Sequence, residues 1–242
     1  MAITTLFLQM LTRIRPDLPA RASLLSLGYP DILADEASLA TAIGADRARD
    51  LPALVDSVGI ARWHGLDGRL PRIVESAAFF EALAIDCTVI DIHASRGGER
   101  IVDLNGSLPD DLAERFDLVL DPGTLEHCFN IGCAIVNVAR AVAVGGYVCH
   151  FSPMSMFNHG FYNLNPTFFH DFYTQNGFEI ALLKGCVGDP LSAKTFDIPA
   201  TGRFTDPPPD ASLVVVAKRM RAGESVWPTQ SKYLANPDLT VS

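Results

Sequence analysis

The sequence has no apolar run of the roughly 20 residues that a membrane-spanning helix needs. Residues 1–15 carry no basic region ahead of their apolar positions, so no signal peptide is expected. Basic residues are in deficit: 19 Lys and Arg against 28 Asp and Glu, a net charge of −9, with no basic face. That disfavours a protein whose main work is gripping a nucleic-acid backbone. The five cysteines (Cys87, Cys128, Cys133, Cys149 and Cys186) form no CxxC pair. They read as buried free thiols of a cytoplasmic protein. Cys128 and Cys133 are close in sequence, but zinc would need further ligands at suitable spacing, so no metal site is expected. Internal repeats and low-complexity segments are absent.

What is present is ample material for a core: 48% hydrophobic residues in 242. That length suits one large domain, or one with a sizeable insertion. Ile3, Leu6, Phe7, Met10, Leu11 and Ile14 recur at helical spacing. They predict an N-terminal helix within 1–20 that packs on the domain or offers a homodimer contact, rather than a membrane anchor.

The stretch FDLVLDPGTLEHCFN, 116–130, organises the rest. A short apolar run ending in Asp121 suits a strand buried on both faces of a parallel sheet. Pro122 and Gly123 break it, Leu125, Glu126 and His127 lie in the turn, and a nearly all-apolar helix is expected over 131–144, stopped by Gly145 and Gly146. Further strands are predicted at 22–28, 88–92, 100–105, 147–151, 178–183 and 212–218. Asn165 and Pro166 open a helix that Gly177 ends. Between the first two strands, residues 32–85 predict two or three helices, the clearest over 71–85. Trp63 and His64 sit in a loop there, packed against a helix or lining a pocket. Three successive apolar runs end in Asp91, Asp103 and Asp121. One such acid is usually a strand terminus or a cap; three in series point to a binding edge.

This alternation describes an α/β fold: a doubly wound, mostly parallel sheet with an antiparallel edge strand. With FDLVLDPGTLEHCFN, ARAVAVGGYVCHFSP and NPTFFHDFYTQNGFEIALL, the sequence resembles the class I S-adenosylmethionine-dependent methyltransferases over about 87–218. The resemblance implies a Rossmann-like methyltransferase domain over 21–220, with 32–85 as a helical insertion after the first strand and 221–242 as a surface tail. It implies S-adenosylmethionine as cofactor. By the same resemblance, Asp91 and Ile92 would serve the ribose hydroxyls, Asp103 and Leu104 the adenine, and Asp121, Pro122 and Gly123 the methionine part. Gly28 would stand for the family's glycine-rich loop. The chain departs there, because Gly28 is followed by Tyr29 and Pro30 rather than by further glycines. Either the cofactor sits differently, the insertion rebuilds its pocket, or binding has been lost.

Methyl transfer gains much of its rate from positioning, and an oxygen nucleophile also benefits from a base of near-neutral pKa. His159, in the polar and aromatic loop after the 147–151 strand, is the first candidate and His127 the second. For His127, a turn residue bonding backbone is an equal reading; His150, inside a strand, reads as structural. Asn158, Tyr162 and Asn163 are candidate substrate contacts. The expected function is methyl transfer to a small-molecule hydroxyl or amine of sugar or natural-product type. A non-catalytic methyltransferase-like binding or scaffold protein is the alternative. A nicotinamide-dependent dehydrogenase ranks last, lacking both the glycine fingerprint and a Tyr-x-x-x-Lys pair.

Overall fold

The computed structural model describes residues 1–235 and divides the chain into two units, Met1–Val102 with Gly188–Lys194, and Asp103–Val187 with Thr195–Ser242. In the first unit, β1 (Ala2–Thr4) leads directly into α1 (Thr5–Ile14), whose first turn is capped by Thr4 Oγ1 accepting from the Phe7 N–H. The helix expected near the N-terminus is therefore present. Its stripe of Phe7, Leu8, Met10, Leu11 and Ile14 is buried within the chain itself. β2 (Ala22–Leu27) is followed by β3 (Asp31–Leu33), which pairs in parallel with β1.

Residues 34–84 hold α2 (Glu36–Ile43), α3 (Ala45–Asp50), α4 (Ser57–Trp63) and α5 (Ser76–Ala82). The helix expected over 71–85 starts five residues late. Val74 is taken instead by bridges to Ile32 and Ala53, and Ile73 joins a buried cluster with Leu33, Ala61, Leu66 and Leu70. Tertiary pairing overrides the helical spacing there. β4 (Ile85–Asp91) lies parallel to β2, and β5 (Arg100–Ile101) lies parallel to β4.

The first strand of the second unit is β6 (Phe116–Asp121), buried almost throughout. α6 (Ile131–Ala141) crosses over to β7 (Val142–Pro153), which runs parallel to β6, as a strand–helix–strand unit requires. α6 stops short of the expected end at 144, and Gly145 and Gly146 belong to the strand. A side chain at Gly146 would meet the Asp117 carbonyl oxygen at 2.9 Å, so this glycine lets β7 pass close over β6 where the register shifts. α7 (Pro166–Gln175) begins at the proline, as the Asn-Pro pair predicts.

β8 (Phe178–Val187), β9 (Lys194–Phe196) and β10 (Ser212–Arg219) complete this part of the sheet in the order β6-β7-β10-β8-β9. β10 is antiparallel to both β7 and β8. The strand expected over 100–105 is confined to Arg100–Ile101. Residues 103–106 form a turn instead, in which the Asp103 carboxylate accepts from the Asn105 N–H and the Asp103 carbonyl from the Gly106 N–H.

The architecture is α/β, mostly parallel with an antiparallel edge. The tail lies along α7, with Val226, Thr229 and Ser231 bonded to Asn176, Gln175 and Asp171, and includes α8 (Ser231–Leu234). Residues 236–242 of the tail lie outside the described residues. Among the described residues no helix is long and apolar enough to cross a membrane.

Candidate active site

Within the first unit, the pairing of β2 with β4 places Gly28 and Asp91 at the same strand edge. Leu27 is in register with Ile90, and the Gly28 N–H donates to the Ile90 carbonyl at 2.7 Å. Gly28 has φ +85°, and a side-chain carbon placed on it would lie 3.4 Å from Asp91 Oδ2 but only 1.8 Å from the Met1 methyl carbon. The Met1 thioether therefore covers the one glycine of this loop. Met1 is held there by its carbonyl, which accepts from the Asp31 N–H at 3.2 Å. Asp91 Oδ1 accepts from the His93 N–H, and Ile92 is exposed.

The residues after Gly28 are pinned by the helical segment that follows them. The Tyr29 hydroxyl donates to Glu75 at 2.8 Å, and burial followed by that carboxylate pushes its pKa up to about 12. Ser76 Oγ donates to the Pro30 carbonyl. Asp31 is paired with His64 at 3.0 Å and with Arg96 at 2.7 Å. Rigid partners thus replace the freedom that further glycines would give.

In the second unit, Asp103 is exposed and its carboxylate is held below the usual range by the backbone and side-chain N–H groups of Asn105. Leu104 is buried. At the end of β6, Asp121 turns inward. Oδ1 accepts from the N–H groups of Thr124 and Leu125, and Oδ2 lies 2.7 Å from His150 Nδ1. His150 Nε2 in turn lies 2.6 Å from the Tyr173 hydroxyl, and all three side chains are shut off from solvent. The phenol is held well above its ordinary range by burial, with Asp121's charge adding to it. The Asp121 carboxylate therefore ties β6 to β7, His150 carries the link on to α7, and the same carboxylate shapes the turn after β6.

That turn carries Glu126 and His127 on a single 3-10 turn, Leu125–His127. Gly123 (φ +98°) comes close to Glu126: a side-chain carbon on it would lie 3.2 Å from Glu126 Oε1. The loop after β7 then folds back over the same glutamate. The Phe161 N–H donates to the Glu126 carbonyl at 2.8 Å, and a side-chain carbon on Gly160 would fall 2.8 Å from that oxygen. The close approach of Gly160 brings His159 beside the turn.

His159 Nε2 lies 3.6 Å and His127 Nε2 lies 3.9 Å from Glu126 Oε1, with the two rings 5.4 Å apart. Glu126 is 1% exposed, whereas the imidazoles are half exposed. Burial, reinforced by Asp121, pushes the Glu126 carboxyl up to about 8. Burial and the neighbouring His159 lower the pKa of His127, which favours its neutral form.

The structure thus brings His127 and His159 together, 32 residues apart in sequence, and adds Glu126, which spacing alone did not single out. The available signal was a Glu-His pair in a turn directly after a fully buried strand. Of the other candidates, Tyr162 donates to the Phe129 carbonyl at 2.8 Å and Asn163 Oδ1 accepts from the Met156 N–H at 2.8 Å, so both brace the loop. Asn158 sits exposed at its tip with φ +62°. Phe129 and Phe161 meet edge to face at 5.3 Å and are largely exposed, as is Phe157.

The fold has counterparts among solved structures. The CurJ carbon methyltransferase matches with TM-score 0.50 and 11% identity, over 90% of this chain and 54% of that one. The chain has a methyltransferase-like fold. It spans about half the length of that neighbour. A 1,6-didemethyltoxoflavin-N1-methyltransferase from Burkholderia thailandensis, solved with S-adenosylhomocysteine, matches more loosely, with TM-score 0.45 and 14% identity over 88% of this chain and 77% of that one. No protein-family model and no curated protein matches the sequence.

Proposed function

We propose that the chain is an S-adenosylmethionine-dependent methyltransferase acting on a small-molecule hydroxyl or amine of sugar or natural-product type. The observation that carries this reading is the Glu126–His127–His159 cluster at the carboxyl end of β6, on a methyltransferase-like fold. Open α/β sheets bind ligands at that end of their strands.

The residues of each unit fit the cofactor in kind. Asp91, beside a positive-φ glycine, supplies a carboxylate suited to a ribose diol. Taken by itself, the second unit offers Asp103 and Leu104, an exposed acid beside a buried apolar residue, the pair that the resemblance assigns to the adenine. The methionine part falls to the backbone of the Pro122–Gly123 turn, since the Asp121 side chain is already bonded inside the core. When bound, the cofactor supplies an electrophilic methyl group on a sulfonium.

His159 accepts the proton of the substrate hydroxyl or amine, and His127, kept neutral by burial and by its partner, orients the same group. Asn158 and the exposed rings of Phe129, Phe157 and Phe161 offer the acceptor a partly apolar rim. The net charge of −9 suits a small-molecule acceptor rather than a nucleic acid.

A second reading, a binding or scaffold protein without catalysis, is favoured by one feature: Met1 lies over Gly28, on the side where the glycine would admit a ligand. Titration calorimetry with S-adenosylmethionine and S-adenosylhomocysteine separates the two readings. Binding of either supports the methyltransferase; no heat up to millimolar concentration overturns it. His159→Ala is expected to lose turnover while keeping cofactor affinity.

A further inference from the structure

We propose that Glu126, His127 and His159 form a site for one divalent transition-metal ion, held by a carboxylate oxygen and two imidazole nitrogens. The candidate ligand atoms all lie within 4.8 Å of one another. Metal–nitrogen and metal–oxygen bonds of about 2.0–2.2 Å place neighbouring ligand atoms roughly 3–4 Å apart. The separations of 3.6 and 3.9 Å from Glu126 Oε1 to the two Nε2 atoms already fall in that range. Small rotations of two half-exposed rings close the remainder.

An independent observation points the same way. Glu126 Oε2 is buried and has no hydrogen-bond partner among the described residues. A carboxylate in that position costs several kcal/mol unless a cation or a proton compensates it. Gly123 and Gly160 both approach this glutamate closely: a side-chain carbon on the first would lie 3.2 Å from Oε1, and one on the second 2.9 Å from Cγ. The thiols nearby are otherwise engaged: Cys128 Sγ points to the Thr124 carbonyl and Cys133 Sγ to the Gly106 carbonyl.

Two imidazoles and one carboxylate favour zinc, iron(II), cobalt(II) or manganese over magnesium or calcium, which prefer oxygen ligands alone. Three protein ligands leave positions open, and the half-exposed rings place those positions toward solvent. A bound hydroxyl or water would be acidified there. This assignment uses residues of the second unit alone and does not rest on the methyl-transfer reading. Where both hold, His159 is a ligand rather than the base: the ion would acidify the acceptor's hydroxyl or amine, and the proton would pass to water at the half-exposed edge of the site.

The test is zinc and cobalt(II) titration of the chelator-treated protein, by calorimetry and by the visible absorption of cobalt. One ion per chain is expected, with His127→Ala and His159→Ala each weakening it roughly tenfold or more and the double variant abolishing it. Thermal melting of the metal-free variants checks that they remain folded, and His127→Gln and His159→Gln serve if the alanine forms do not. S-adenosylmethionine affinity, measured separately, reports the other reading. No uptake of either ion by the wild type overturns the assignment. So does undiminished uptake by the folded double variant, which would place the ion at His64, His93 or His170.

Discussion

His150 Nδ1 lies 2.7 Å from Asp121 Oδ2, on parallel strands at registered positions, with both side chains fully buried. The pair decides what the end of β6 can do. Asp121 spends its second oxygen on the turn that presents Glu126 and His127, so the site stands on an interior hydrogen-bond chain that ends at Tyr173. Asp121→Ala leaves His150 and two N–H groups without their acceptor, and unfolding in urea should show a loss of about 3–5 kcal/mol. Tyr173→Phe removes only the last hydroxyl and should cost about 1–3 kcal/mol. A loss below about 1 kcal/mol for Asp121→Ala would mean the chain does not hold the strands together.

Glu126 gives the metal-free protein a pH signature. Its carboxyl stands at about 8 in the folded state against an ordinary value of 4.5. Between those values the folded form binds a proton that the unfolded form has released. Stability is therefore expected to fall as pH rises through this window, by up to about 1.4 kcal/mol per pH unit from this group. Glu126→Gln removes the charge and should flatten the profile, becoming the more stable form above pH 8. Equal slopes for the two proteins in chelator would show that Glu126 is ionised throughout.

Much of the framework was legible because its signals are local. The apolar run at 116–121, the Asn-Pro start of α7 and the paired runs at 178 and 212 each declare themselves within a few residues. What local pattern hid was pairing at a distance. Val74 has a helical neighbourhood but bridges two other segments, and Gly145-Gly146 resembles a helix stop but eases β7 past β6. The site shows the same division. His127 and His159 were legible as residue types near a strand end, whereas Glu126 gains its importance only when Gly160 closes over it.

Gly160→Ala tests that closure. The added methyl would fall 2.8 Å from the Glu126 carbonyl oxygen and 2.9 Å from its Cγ. The carbonyl cannot retreat easily, because the Phe161 N–H bonds it at 2.8 Å. The loop carrying His159 should lift away, at a cost of about 1–3 kcal/mol, with His159 losing its contact to the turn; under the proposed function, turnover should fall with it. Wild-type stability and turnover in this variant would show that the loop is not positioned by Gly160.

Met1 and Gly28 pose the last question, whether the first unit admits the cofactor. The thioether occupies the space a side chain on Gly28 would take, and that space borders Asp91 Oδ2. A ligand whose ribose reaches Asp91 across the glycine must displace Met1, and the displacement lowers its apparent affinity. Met1→Ala, made in a chain carrying an N-terminal extension, should therefore bind S-adenosylmethionine severalfold more tightly. Asp91→Ala should weaken binding strongly, since the diol loses its acceptor, and Gly28→Ala should weaken it further by adding a methyl at φ +85°. Calorimetry on the three variants orders them. If Met1→Ala binds no better than the wild type while Asp91→Ala binds worse, the ligand approaches Asp91 without crossing Gly28, and the loop at Tyr29 and Pro30 has taken over the glycine's role.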